Sequence, residues 1–225
     1  MKNLWFDYDG RIDDIIQKLI ESTCDMIEPA SISIVKKYGQ EPFLVLVSCI
    51  LSLRTKDTVS LPASIRLFSV AKTPEEILGL SLEKIEKIIY PTGFYRKKAK
   101  NLHEISKILI NKYSGLVQNN EQDLLELPGV GRKTANLVLS VGFGVPAICV
   151  DTHVHRISNR LGLVKTKNPD ETEIALKKIL PQKYWLEYNN LLVKWGQNIC
   201  VPISPHCSKC AISHLCSKIS VKKSR

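Results

Sequence analysis

Near its C-terminal end the chain places four cysteines within 17 residues: Cys200, Cys207, Cys210 and Cys216, spaced C-x6-C-x2-C-x5-C. Four thiolates this close can hold a zinc ion or an iron–sulfur cluster, since both accept four sulfur ligands. Zinc ribbons use two C-x2-C knuckles and this set has one, yet spacing taken alone leaves both groups open. A second constellation is Leu127-Pro128-Gly129-Val130-Gly131-Arg132-Lys133. Asn120 and Asp123 can cap a short helix through Glu126, Pro128 breaks it, and two glycines one residue apart permit a tight turn. The apolar run Thr134–Phe143 then continues as a helix. Glycines beside a helix N-terminus expose backbone N–H groups that bind a phosphate oxygen; the alternative is a plain helix–helix turn. Asp151 directly precedes Thr152-His153, where another helix should start and where an N-capping carboxylate is favoured. His153 and His155 have no partnering acid cluster, so they read as hydrogen-bonded packing residues rather than metal ligands.

The elements that must position these groups are helical nearly throughout. Ile12, Ile15, Ile16, Leu19 and Ile20 follow the spacing of one buried helical face. The stretch from Pro42 to Arg54 is apolar almost all round, as in a central core helix. Thr73-Pro74-Glu75-Glu76 reads as an N-cap, a Pro at the first helical position and a capping-box Glu; Asp170 with Glu173 suggests a second box. Ala99, Leu102, Ile105 and Leu109 mark one later helix, and Trp185, Tyr188, Leu191, Leu192, Trp195 and Ile199 another. Only Ser31–Val35 and Val145–Val150 have strand character, so the expected class is all-α.

The 225 residues carry 32 Lys+Arg against 22 Asp+Glu, a formal charge of +10, which points to a polyanionic partner, nucleic acid above all. A 44% hydrophobic content excludes disorder as the main state, and the length suits one or two domains. The longest uncharged runs fall short of the ~20 residues of a membrane span. The N-terminus is acidic where a secretion signal is basic and then apolar; a prokaryotic cytoplasm, in association with the nucleoid, is the expected location. Seven cysteines, an odd number, argue against a complete disulfide framework. Cys24, Cys49 and Cys149 sit among largely apolar residues and read as buried thiols. The acid-free tail with Lys218, Lys222, Lys223 and Arg225 reads as frayed and solvated.

LPGVGRKTANLVL resembles the helix-hairpin-helix of the endonuclease III family of DNA glycosylases, and Val150-Asp151-Thr152-His153-Val154-His155-Arg156 resembles that family's VDTHV segment. Asp151 follows Lys133 by 18 residues, the spacing the family keeps between its catalytic Lys and Asp. The cysteine spacing matches the family's 4Fe–4S pattern, and the resemblance runs over about residues 30 to 217. It implies two all-α lobes with DNA between them: residues 32–145 as a six-helix barrel containing the hairpin, and residues 1–31 with 146–225 as a discontinuous iron–sulfur cluster domain. It also implies base excision repair by a monomer on duplex DNA that contains oxidised pyrimidines or abasic sites. The damaged base is flipped out; Lys133 attacks C1′ and displaces it, and the resulting Schiff base permits β-elimination and a nick 3′ to the lesion. A helix start, Arg132 and a poorly hydrated pocket would favour the neutral amine that attack requires. Asp151 would help deprotonate Lys133 and offset cationic character at C1′. The 4Fe–4S cluster on Cys200, Cys207, Cys210 and Cys216 would pin the C-terminal loop and stay outside the chemistry.

Gly93-Phe94-Tyr95 matches the family's G-[LFI]-Y loop, which puts Phe94 where relatives push an apolar wedge into the duplex; Arg96, Lys97, Lys98 and Lys100 follow as a basic cluster. Leu51-Ser52-Leu53-Arg54-Thr55-Lys56-Asp57 matches the LSxQxxD region, but Arg54 replaces the Gln that fills the hole left by the flipped base. Arg54 can donate to a guanine opposite the lesion, so opposite-base preference should shift. Asp57 should cap the helix that follows it. The loop between the first two cluster cysteines lacks the usual Arg or Lys and offers only His206, then Lys209. The expected DNA contacts are Gly129, Val130, Gly131, Arg132, Arg54, Phe94, Arg96, Lys97 and His153. The rivals are a mismatch-type or adenine glycosylase, which carries Ser or Tyr in place of the lysine, and a non-catalytic helix-hairpin-helix binding protein, which needs only the hairpin. Lys133 with Asp151 argues against both.

Overall fold

The structure, a computed structural model, describes residues 10–225, and among these the regular elements are all helical. In chain order they are α1 (Arg11–Thr23), α2 (Ala30–Tyr38), α3 (Pro42–Ser52), α4 (Asp57–Phe68), α5 (Pro74–Leu78), α6 (Leu82–Ile89), α7 (Tyr95–Tyr113), α8 (Glu121–Leu125), α9 (Arg132–Leu137), α10 (Thr152–Leu161), α11 (Pro169–Ile179) and α12 (Trp185–Asn198). The chain divides into two compact units. One is Glu28–Ala147; the other joins residues 10–27 to Ile148–Arg225. Each has its own apolar core. No helix among the described residues is long and apolar enough to cross a membrane.

In the Glu28–Ala147 unit, α3 is the centre. Its residues Phe43 to Leu51 are all buried, so it has no solvent face, and α2, α4, α7 and α9 pack round it. The Thr73 capping box forms as expected, with Thr73 Oγ1 accepting from Glu76 N at 3.2 Å and Glu76 closing the reciprocal bond. Asn120 caps α8 by accepting from Asp123 N. The segment 31–35 lies inside α2, and residues 145–150 form no strand. In the other unit α12 packs on both α1 and α10, and Tyr188, fully buried, hydrogen-bonds Ser158 at 2.9 Å.

Local differences from the sequence reading have physical causes. The helix after the hairpin begins two residues earlier than expected, at Arg132, and passes into a π turn at Val138–Gly142. There Gly142 lets the backbone close on α3: a Cβ would stand 3.2 Å from Pro42 Cα. The cap of α11 is Asn168 with Glu171, not Asp170 with Glu173, because Pro169 takes the first helical position. Glu173 is instead buried and binds Lys177 at 2.6 Å. Asp57 does not cap its own helix; its Oδ2 accepts from Ala30 N at the start of α2, 3.3 Å away. Cys49 and Cys149 are buried as expected, whereas Cys24, just past the end of α1, is exposed.

The hairpin turn depends on Gly129, which has φ +83°; a Cβ there would come within 2.5 Å of Asn101 Nδ2. Gly129→Ala should lower unfolding stability by about 1–2 kcal/mol, from the left-handed backbone and the Asn101 clash together. Thermal or denaturant melts followed by circular dichroism read this directly.

Candidate functional site

The hairpin is closed by Val130 N donating to Leu127 O at 3.0 Å, while the Val130 side chain drops into the core. Gly131 is extended (φ −107°, ψ 177°) and N-caps α9. Its O accepts from Ala135 N at 2.9 Å. Gly129, Gly131, Arg132 and Lys133 are exposed, and Arg132 Nε stands 3.9 Å from Glu121 Oε1 across the hairpin. Lys133 is the second residue of α9, close enough to Cys49 to oppose, in part, the burial that pushes that thiol up to about 12.

Asp151 lies in the other unit, at the start of α10, and its Oδ1 accepts from His153 N at 2.8 Å and Val154 N at 2.9 Å. The carboxylate is thereby held in one orientation. His153 Nδ1 lies 3.1 Å from Arg156 Nη2, and its ring is pressed against Gly196 of α12, where no Cβ would fit. His155 Nδ1 pairs with Thr172 Oγ1 at 2.6 Å, joining α10 to α11.

Arg54 and Phe94 come together on two adjacent loops. Both adopt left-handed backbone (φ 52° and 58°), both are exposed, and the Arg54 guanidinium carbon sits 5.3 Å from the Phe94 ring centroid. Phe94 is 62% exposed and is therefore no core aromatic. Arg96 and Lys97 are exposed at the start of α7, Arg96 at 3.9 Å from Glu86. Lys98 departs from the basic cluster read in the sequence. It is 4% exposed, and its Nζ donates to Leu51 O at 2.6 Å and Thr55 Oγ1 at 2.8 Å. Burial lowers its pKa to about 8.

Cys200, Cys207, Cys210 and Cys216 line one concavity, partly open to solvent, together with Arg160, His206 and Lys218. Burial, and beyond it the neighbouring thiols, push Cys210 and Cys216 upward. Among the described residues no three His, Cys, Asp or Glu side chains converge on a point suited to a single ion. The loop is stitched by cations absent from the sequence reading. Arg156 donates to Cys200 O at 2.9 Å and Gly196 O at 3.2 Å; Arg160 donates to Val201 O at 2.8 Å and Pro202 O at 2.6 Å. Arg11 reaches Leu161 O and Leu215 O at 2.6 and 2.7 Å. The spacing of Arg156 and Arg160, one helical turn apart on α10, was the available signal. The tail is docked rather than frayed: Arg225 N donates to Pro205 O at 2.8 Å, and Ser208 N to Arg225 O at 2.9 Å.

A helical chain with this Gly-x-Gly hairpin falls into a described class: residues 47–182 match the family model for the HhH-GPD superfamily base excision DNA repair protein. Within it, the endonuclease III of Thermotoga maritima is 49% identical over 196 residues, which are 85% of this chain and 92% of that protein. Two solved structures are each 34% identical and cover 95% of this chain and 97% of theirs. They are a non-covalent endonuclease III–DNA complex (TM-score 0.82) and a trapped endonuclease III–DNA covalent intermediate (TM-score 0.79). The chain belongs to the endonuclease III family.

Because Arg160 satisfies two carbonyls of an irregular loop, Arg160→Ala leaves both short of a partner and should cost about 1.5–3 kcal/mol. Limited proteolysis should then cut faster within 200–206, and Arg160→Lys should restore protection only in part, since one ammonium lacks the fork that spans both oxygens.

Proposed function

We propose that this protein is a bifunctional DNA glycosylase and AP lyase of base excision repair, which removes oxidised pyrimidines from duplex DNA and nicks 3′ to the resulting abasic site. The observation that carries the reading is the position of Lys133, exposed two residues beyond the capping Gly131 of a helix-hairpin-helix in a chain of this family. The turn at Gly129–Gly131 takes a phosphate oxygen on backbone N–H, which brings the sugar–phosphate backbone to the lysine. The neutral amine of Lys133 bonds to C1′ as the base leaves with the electrons of the N-glycosidic bond. Ring opening produces an imine that acidifies C2′–H; loss of that proton expels the 3′ phosphate, and hydrolysis of the imine frees the lysine. The exposed amine becomes poorly hydrated only when DNA covers it. Asp151, its carboxylate held by two backbone N–H groups, takes the proton from the lysine and offsets positive charge growing at C1′. Arg54 and Phe94 enter the duplex at the lesion, and Arg96 and Lys97 hold phosphate. Val130 serves the hairpin through its core side chain, and His153 supports Asp151's helix against α12.

The four cysteines hold a 4Fe–4S cluster in this reading. The donor set fits: four thiols line one concavity, burial makes Cys210 and Cys216 harder to ionise, and a cationic centre would keep them as thiolates. The spacing C-x6-C-x2-C-x5-C has one C-x2-C pair where a zinc ribbon has two, and it matches this family's 4Fe–4S pattern. When bound, the cluster supplies structural cross-linking of the loop, and no step of the reaction passes through it. Freshly purified protein should contain iron and labile sulfide and absorb near about 400 nm; stoichiometric zinc without that absorbance would replace the assignment.

Lys133→Gln should abolish borohydride-trappable complexes with an abasic duplex, and continued trapping would sink the lysine mechanism. Asp151→Asn should slow base release by about 10²-fold or more. Its melting midpoint should stay near that of the parent, because Asn caps a helix as well as Asp does.

A further inference from the structure

A lysine 4% exposed calls for a reason, because burying an ammonium is costly unless its donors are used. Lys98 uses them on the end of α3 and on the turn that follows it. Its Nζ donates to Leu51 O, in the last turn of α3, and to Thr55 Oγ1, in the turn beyond. Thr55 Oγ1 also accepts from Gly93 N at 3.0 Å and donates to Leu53 O at 3.3 Å, so the hydroxyl is fully committed. The two loops are in direct backbone contact: a Cβ on Gly93 would stand 3.0 Å from Arg54 O. Between these anchors lie Arg54 and Phe94, two bulky residues in left-handed backbone. Such conformations persist only where the surroundings over-determine them. On the solvent side there is little to do so beyond the contact of the two side chains with each other. The over-determination is underneath, in the Lys98–Thr55–Gly93 bonds.

We propose that Lys98 is a positioning residue: through Thr55 it locks the loops of Arg54 and Phe94 into one rigid reader, with the guanidinium laid on the ring and its donors directed at a purine, guanine preferred, opposite the lesion. The guanidinium lies over the Phe94 ring, which limits where its donors can point, and a planar fork discriminates between base edges only when its orientation is limited. A lysine at this depth, with its pKa lowered by burial alone, offers at least two N–H donors whether charged or neutral, so the lock holds across the working pH range. The proposal rests on the reading above that Arg54 and Phe94 face DNA.

The test uses the full-length protein and a double-mutant comparison. The substrates are duplexes with thymine glycol opposite guanine or adenine, and a single-stranded abasic oligonucleotide that has no opposite base to read. Lys98→Met should lower kcat/KM on the duplexes by roughly tenfold and collapse the guanine-over-adenine ratio toward one. Borohydride trapping of the single-stranded abasic oligonucleotide should be unchanged. In an Arg54→Ala/Phe94→Ala background, Lys98→Met should add no further loss, since it acts through that pair. Should Lys98→Met fold poorly, Thr55→Val removes the shared hydroxyl and should reproduce the phenotype, while Thr55→Ser restores it. An equal loss on single-stranded and duplex substrates, or the same loss in both backgrounds, overturns the role of Lys98 and leaves the glycosylase reading intact. If Arg54→Ala/Phe94→Ala processes duplexes like the parent, the DNA-facing assignment of the pair is what fails, and the proposal falls with it.

Discussion

Every helix ends with carbonyl groups that its own N–H groups cannot reach. In this protein several irregular segments follow directly on such ends. The carbonyls there and in the adjoining loops are taken up by buried or half-buried cations. Lys98 serves the end of α3; Arg156 and Arg160 serve the loop after α12; Arg11 serves the end of α10 and the segment before Cys216. Arg66, itself exposed, also donates to Ile88 O and Tyr90 O, ahead of the Phe94 loop. A cationic donor to a carbonyl is stronger than a neutral one, and a guanidinium reaches two oxygens at once. Irregular segments are thus made as definite as helices without regular structure of their own.

This use of cations changes what the charge of +10 means. A basic chain of this length points to nucleic acid, and Arg54, Arg96, Lys97, Arg132 and Lys133 are exposed. Part of the excess is internal. Lys98 stands inside a basic run in the sequence but under the surface in the fold, and Arg156 and Arg160 face the cysteine loop. The acid-free tail, which reads as solvated, is tied back at Arg225 to Pro205 and Ser208. Composition counts all of these alike.

The hairpin, the Thr73 box, the Asn120 cap and the all-round apolar α3 were legible because each depends on near neighbours in the chain. The Asp151 cap was legible for the same reason, its partners being the next two or three N–H groups. Failures came where a distant element competed. Asp57 is poised by sequence to cap α4, yet its carboxylate meets the start of α2, twenty-seven residues earlier. Pro169 moved a cap from Asp170 to Asn168, and Gly142, held against Pro42, turned an expected α-helix into a π turn.

The sequence by itself determined the helical class, the Gly-x-Gly turn between two helices, the lysine and aspartate beside their helix starts, and the four-thiol set; all are local patterns of spacing and side-chain chemistry. Only the tertiary structure decided which cations face inward, that Arg54 and Phe94 from loops forty residues apart come together with the guanidinium over the ring, and that Thr55 joins their loops beneath. Those depend on which segments the two apolar cores bring within hydrogen-bond range, and that proximity is a property of the packed chain, with no counterpart in any short stretch of it.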